Sequence, residues 1–166
     1  MKNIFLTFIF LSNILWAGQE SSPIGIELIK HYEGLHLRAY YCPAKILTIG
    51  YGHTGGVKPG QVITKFQAIE YLRTDMKRFE SHINQNLTKP IPWYEFDALT
   101  SFCFNCGYQL KGKMKEAVNR SLVDRVCQIF RSYTHAKGHE LPGLIRRRQS
   151  EIVLYREAKL NFEAKI

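Results

Sequence analysis

The sequence is poor in acidic residues and almost free of long apolar runs. Among its 166 residues, 14 are acidic and 23 are basic, so the formal net charge is +9. The one long apolar stretch, Ile4 to Trp16, has thirteen residues, whereas a stable membrane-spanning helix needs about 20. The basic surplus suggests a polyanionic partner, although a merely solubilising surface charge would look the same.

Several motifs are also missing. No Gly-Lys-Ser/Thr sequence opens a helix, which argues against a phosphate-binding loop despite a glycine-rich stretch between residues 50 and 60. Cys103-x-x-Cys106 has no second cysteine or histidine pair at zinc-site spacing. We therefore expect no metal and no cofactor. There is no repeat, low-complexity tract or linker, and 45% hydrophobic content suits one globular domain.

The N-terminus has the pattern of an export signal. Lys2 precedes the apolar run from Ile4 to Trp16, and cleavage is expected near Ala17. The sequence thus predicts a signal peptide over residues 1–17, with a releasable signal anchor or a buried core helix as alternatives. Residues 18–166 then form the folded domain, exported to the periplasm or medium with a net charge of +8.

Apolar periodicity predicts the main helices. A first helix runs from Pro23 to Glu33, between a Ser22 cap and a Gly34 stop. A second begins with a capping box at Thr64 and reaches Asn86, its buried stripe being Phe66, Ile69, Leu72, Met76, Phe79 and Ile83.

The later part of the chain is also predicted to be helical. A helix from Trp93 to Tyr108 is apolar nearly all round and should lie at the centre of the fold. Two short helices, 113–119 and 121–133, and a last helix from Gly143 follow. In the last helix, Arg147 and Arg148 are each within pairing distance of Glu151.

The stretch from Glu33 to Thr54 contains most of the chemically active side chains. Between residues 38 and 51, β-branched and aromatic residues around a turn near Pro43 predict a small hairpin. Glu33, Cys42 and Thr48 have the spacing Glu, eight residues, Asp or Cys, five residues, Thr. This pattern resembles the active-site motif of the phage-type lysozymes, glycoside hydrolase family 24. Residues 96–107 and 143–151 resemble two further family signatures, so the resemblance covers roughly residues 27–155.

The resemblance implies an α+β, lysozyme-like fold, with a small β-sheet lobe and a larger helical lobe joined by a long helix. It implies hydrolysis of the β-1,4 bond between N-acetylmuramic acid and N-acetylglucosamine in peptidoglycan, with inversion. Glu33 would be the general acid, while Thr48 holds the water and Cys42 assists it or stabilises charge. Positioning or substrate contacts are expected from His53, Asn105 and Arg147. The expected protein is a monomer that binds bacterial peptidoglycan, not nucleic acid, and meets a membrane only transiently through its N-terminus.

Two other functions remain open at this stage. Cys42 with His53 or His36 as base would make a cell-wall peptidase or amidase, and a cationic protein that binds the wall without catalysis would also fit. The sequence departs from the family at Ala44-Lys45, where a Gly-containing turn is usual, and over residues 113–139. Buried, inert cysteines are expected, with a disulfide through Cys127 as the alternative.

Overall fold

The computed structural model describes residues 18–42, 44–136 and 138–158. The predicted signal peptide, residues 1–17, lies outside these ranges. No helix within them has the length and apolarity needed to cross a membrane. In chain order, the elements are α1 (Pro23–Glu33), β1 (His36–Tyr41), β2 (Leu47–Gly50), α2 (Lys65–Asn86), α3 (Trp93–Cys106), α4 (Gly112–Asn119), α5 (Val123–Arg131), β3 (His135–Ala136), β4 (His139–Glu140) and α6 (Pro142–Glu157).

Helix α1 has the ends that its sequence predicts. The Ser22 side chain accepts a hydrogen bond from the backbone N–H of Ile24, and Pro23 takes the first helical position. At the other end, Gly34 has φ +73°, a conformation that glycine adopts without steric cost. Glu33 is therefore the last residue of a helix whose end is defined by its own sequence.

The small sheet is an antiparallel hairpin. Strand β1 pairs with β2 so that Tyr40 lies opposite Thr48 and Tyr41 opposite Leu47, and the register is irregular between residues 36 and 40. In the turn, the Lys45 N–H donates to the Cys42 carbonyl at 2.8 Å. This geometry places Cys42 and Thr48 at the same end of the hairpin.

Helix α2 joins two hydrophobic clusters. The predicted capping box between Thr64 and Gln67 is present. Leu72 and Met76 pack in the sheet-lobe cluster, whereas one and two turns later Phe79 and Ile83 pack in the helical-lobe cluster. The predicted α+β architecture with a connecting helix is confirmed. Phe66 was wrongly assigned to the buried stripe: it lies in the first turn and is 72% exposed.

Helix α3 is the centre of the helical lobe, as its apolar sequence predicts. Residues 96–103 are all buried, and α1, α2 and α6 pack against them. Burial of each large apolar side chain contributes roughly 1.5–3 kcal/mol relative to exposure. At the end of this run, Phe104 packs against both hydrophobic clusters, so the two lobes share one side chain of α3.

One local prediction fails and one element was not predicted, while the cysteines match the expectation of burial only in part, since Cys42 and Cys106 are partly exposed. The predicted helix over 121–133 begins later than expected, because Ser121 adopts φ +54° and α5 starts at Val123. A short β3–β4 hairpin was not predicted at all. All four cysteines, which lie in the described ranges, are free. Two of these, Cys103 and Cys127, are buried.

Candidate active site

The carboxyl group of Glu33 lies where α1 meets α6. Arg147 Nη1 donates to Glu33 Oε1 at 2.7 Å, across 114 residues of sequence. The arginine side chain is only 3% exposed and the glutamate side chain 22%. Hence the guanidinium is fixed inside the protein while part of the carboxyl group remains accessible from the cleft.

Arg147 is itself held by several neighbours. Its Nη2 donates to the backbone oxygen of Ser101 at 3.3 Å, and its guanidinium lies 5.5 Å from the ring centroid of Tyr32. The Tyr32 hydroxyl in turn donates to the Arg146 carbonyl at 3.0 Å and lies 2.7 Å from Ser150 Oγ. Adjacent residues of α1, Tyr32 and Glu33, are thus both attached to α6.

The loop after β2 approaches the other oxygen of Glu33. Gly52 has φ +91°, and a Cβ atom placed there would come within 3.6 Å of Glu33 Oε2. A side chain at this position would strain the backbone, although its Cβ would only reach ordinary contact distance from the carboxyl group. Gly52 therefore lies directly beside Glu33 on the sheet-lobe side.

Cys42 and Thr48 come together at the hairpin. Hydrogen bonds from the backbone of Ile46 and Ala44 lower the pKa of the Cys42 thiol from its ordinary value. Thr48 is 4% exposed, and its hydroxyl donates to the Ile46 carbonyl at 2.9 Å. Burial is the largest cause of the raised pKa of Tyr40, and the negative charges of Cys42 and Glu33 raise it further. Tyr40 thus lies within electrostatic range of both groups.

His53 supports the loop instead of facing the thiol. Its Nδ1 lies 2.8 Å from Asp75 Oδ2 on α2, and its Nε2 lies 2.8 Å from the Gly55 carbonyl oxygen. The ring also stacks on Tyr71, with 4.4 Å between centroids. Since both ring nitrogens are engaged, the imidazole is not available as the base of a Cys42 nucleophile.

Asn105 lies near the end of α3 and is exposed. Its Oδ1 accepts a hydrogen bond from Arg148 Nη2 at 3.0 Å. That contact fixes which way the amide points, because the oxygen faces the arginine and the NH2 group remains free to donate elsewhere.

The family of the protein follows from comparison with known sequences. The family model described as Phage lysozyme matches residues 30–151, which is most of the chain and includes all six predicted site residues. The chain belongs to the phage lysozyme family.

Similar proteins and structures support the assignment to the phage lysozyme family. An endolysin of Acyrthosiphon pisum secondary endosymbiont phage 1 is 36% identical over 140 residues, covering 81% of this chain and 96% of the relative. The muramidase domain of SpmX from Asticaccaulis excentricus superimposes with a TM-score of 0.77 at 35% identity, covering 83% of this chain and 98% of that one. A SAR-endolysin of Bacteriophage PS119 is 29% identical over 123 residues, covering 72% and 73%.

Sequence reasoning missed part of this phage lysozyme site. It recognised that Arg147, Arg148 and Glu151 are within pairing distance, but not that all three are buried, with exposures of 3%, 1% and 0%. It also gave His53 no partner, although Asp75 occurs on the predicted long helix. Within the described ranges, no group of three or more His, Cys, Asp or Glu side chains is placed to hold a metal ion.

Proposed function

We propose that this protein is a peptidoglycan-degrading lysozyme, an endo-β-1,4-N-acetylmuramidase, in which Glu33 is the general acid. One observation carries the proposal: the Glu33 carboxyl group is held at 2.7 Å by a buried arginine, at the end of α1 and beside the Gly52 loop. A general acid must be aimed at the leaving oxygen, and an immobilised carboxyl group meets that need.

The remaining roles follow from the chemistry of glycoside hydrolysis. Glu33 gives its proton to the glycosidic oxygen as the C–O bond breaks, and a water attacks the anomeric carbon from the opposite face. The Thr48 hydroxyl and Cys42 lie together at the hairpin, where Thr48 would hold that water and the Cys42 thiolate would accept its proton. Arg147 orients Glu33, His53 fixes the loop around Gly55, and the Asn105 amide contacts the sugar.

Export is part of the proposal. The enzyme would have to cross the inner membrane to reach the cell wall, and the Lys2-led apolar segment provides the signal for it. The SAR-endolysin among the relatives supports either a cleaved signal or a releasable anchor. The +9 formal charge suits an anionic wall. We infer a monomer that binds peptidoglycan and no nucleic acid.

Glu33→Gln tests the central assignment. The amide keeps the size of the side chain and an acceptor for Arg147 but has no proton to give, so wall lysis should fall about 100- to 10,000-fold. Turbidity clearing gives the rate, circular dichroism confirms folding, and assays of released ends identify the bond. New reducing sugars in the wild-type digest support a muramidase, whereas new amines would indicate a peptidase. A folded Glu33→Gln protein with more than about a tenth of wild-type activity would refute Glu33 as the acid.

A further inference from the structure

Glu151 is a fully buried carboxyl group that the proposed reaction does not use. It lies on α6 with 0% exposure, and burial raises its pKa against the opposing effects of Arg148 and Arg147. Its Oε1 accepts hydrogen bonds from Ser101 Oγ at 2.7 Å, Arg148 Nη2 at 3.0 Å and Arg147 Nε at 3.2 Å. Its Oε2 lies 2.7 Å from Arg148 Nε.

The two arginines that meet at Glu151 diverge beyond it. They are three and four residues before the glutamate on the same helix, the spacings at which helical side chains meet. Arg147 extends to the Glu33 carboxyl group, and Arg148 extends to the Asn105 amide oxygen. Opposite charges therefore alternate from the proposed acid, through Arg147 and Glu151, to Arg148, which bonds the exposed Asn105 amide.

We propose that Glu151 is a positioning residue for two side chains. It orients Glu33 through Arg147, and it orients Asn105 through Arg148. The inference rests on the proposed function of these two residues. A planar guanidinium that is hydrogen-bonded to a fixed carboxylate presents its remaining N–H groups in set directions. Because one carboxylate holds both guanidinium groups, the proton donor and the substrate-binding amide keep a constant separation.

Stability alone accounts poorly for this arrangement. Taking charges out of water is costly, and a buried ion cluster often stabilises a fold no better than apolar residues of the same volume. Arg148 has two further partners inside the protein: the Cys106 sulfur, 2.8 Å from Nη1, and the Phe102 ring, 4.9 Å from the guanidinium carbon. The orientation of the Arg148 guanidinium is therefore fixed by several neighbours, as positioning Asn105 requires.

Glu151→Gln separates positioning from stability. The side chain keeps its shape, but its NH2 group faces the Arg148 Nε donor and the charge that holds both arginines is lost. We expect kcat to fall about tenfold through misplacement of Glu33 and KM to rise about three- to tenfold through the loosened Asn105 amide. Both constants are measured on soluble glycan strands of defined length.

Glu80→Gln is the matched control. Glu80 is also buried, at 8% exposure, but its Oε1 accepts from the Ser21 backbone N–H, away from the cleft. The Glu80→Gln protein should have a lower free energy of unfolding, with kcat and KM unchanged. If a folded Glu151→Gln protein also lost only stability, the inference would be overturned.

A second pair of variants tests whether Arg148 positions Asn105, even if Glu151→Gln does not fold. Arg148→Lys keeps the positive charge beside Glu151 but cannot also hold Asn105 in a planar fork. Its KM increase should match that of Asn105→Ala, and the double variant should show no further increase. If the KM increase of the double variant were the product of the two single increases, the role of Arg148 in positioning Asn105 would be overturned. A wild-type KM in Asn105→Ala would overturn it too and would remove Asn105 from the substrate contacts, leaving Glu33 as the acid untouched.

Discussion

The role of the Cys42 thiol can be tested by pH dependence, because a thiol loses its proton at higher pH than a carboxyl group. If Cys42 accepts the proton of the attacking water, it works only as a thiolate. At pH 6, a thiol with the ordinary pKa of about 8.5 is ionised in about 0.3% of molecules, whereas an aspartate with a pKa of about 3.9 is ionised in about 99%. Backbone hydrogen bonds from Ile46 and Ala44 lower the thiol pKa, which increases the thiolate fraction above this value.

Cys42→Asp should therefore stay active and shift the acidic limb of the pH–rate profile to lower pH. Since the wild-type thiolate fraction falls about tenfold for each pH unit below the thiol pKa, the ratio of variant to wild-type rates should grow towards acid pH. About 300-fold is its upper limit at pH 6. Cys42→Ala should lose most of the rate at every pH. The measurement is the initial rate of clearing of purified walls between pH 4 and 9.

Oxidation provides an independent test of the same thiol. Disulfide exchange proceeds through a thiolate. Burial raises the pKa of Cys103 to about 11 and also raises that of Cys106. Oxidised glutathione should therefore inhibit the wild type through a mixed disulfide at Cys42, and dithiothreitol should restore activity by releasing glutathione. Cys42→Asp should be resistant. Full activity in Cys42→Ala would mean that the thiol has no catalytic role, and coincident profiles for the Asp variant and the wild type would contradict a thiolate base.

Three further predictions concern other parts of the chain. Arg147→Lys should lower kcat about 10- to 100-fold, because an ammonium group cannot hold all partners of the guanidinium at once; wild-type kcat would contradict the orienting role. Gln19→Ala should lower the free energy of unfolding by about 1–3 kcal/mol, since the amide bonds both the N–H and the carbonyl of Ile91. Gln85→Ala, which loses only an exposed bond within α2, is its control for chemical denaturation; equal losses would refute the reasoning. Intact mass of the exported protein should show cleavage near Ala17, whereas an uncleaved, membrane-bound chain would support the releasable anchor.

Local chemistry made the helix ends predictable. The Ser22 cap with Pro23, the Gly34 stop and the Thr64–Gln67 capping box each depend on residues within a few positions of one another. For the same reason, the position of Glu33 at the end of α1 could be read from the sequence. The hairpin was also recognised, because aromatic residues before a turn at Pro43 and β-branched residues after it are typical of paired strands.

Tertiary contacts set the features that sequence reasoning missed. The Ser121 backbone turns into the left-handed region, which propensity alone does not reveal. Strands β3 and β4 have two residues each, too few for any period. The contact between Arg147 and Glu33 joins side chains 114 positions apart. A charge spacing on α6 indicates only that Arg147 and Glu151 can meet; whether the pair is solvated or buried depends on how α6 packs on α3.

Burial of that pair helps to fix the direction of the proposed general acid, Glu33. Helix α1 is attached to α3 at its first turn, where the Asp97 carboxyl group accepts from the backbone N–H groups of Ser22 and Gly25. It is attached again at its last residue, through Glu33 and Arg147, to Ser101 of the same helix α3. Two attachments about one helix length apart, roughly 16 Å for eleven residues, leave α1 little freedom to tilt. The Glu33 carboxyl group is then directed by the packing of the helical lobe, while the thiol and hydroxyl groups that would hold the water belong to the sheet lobe.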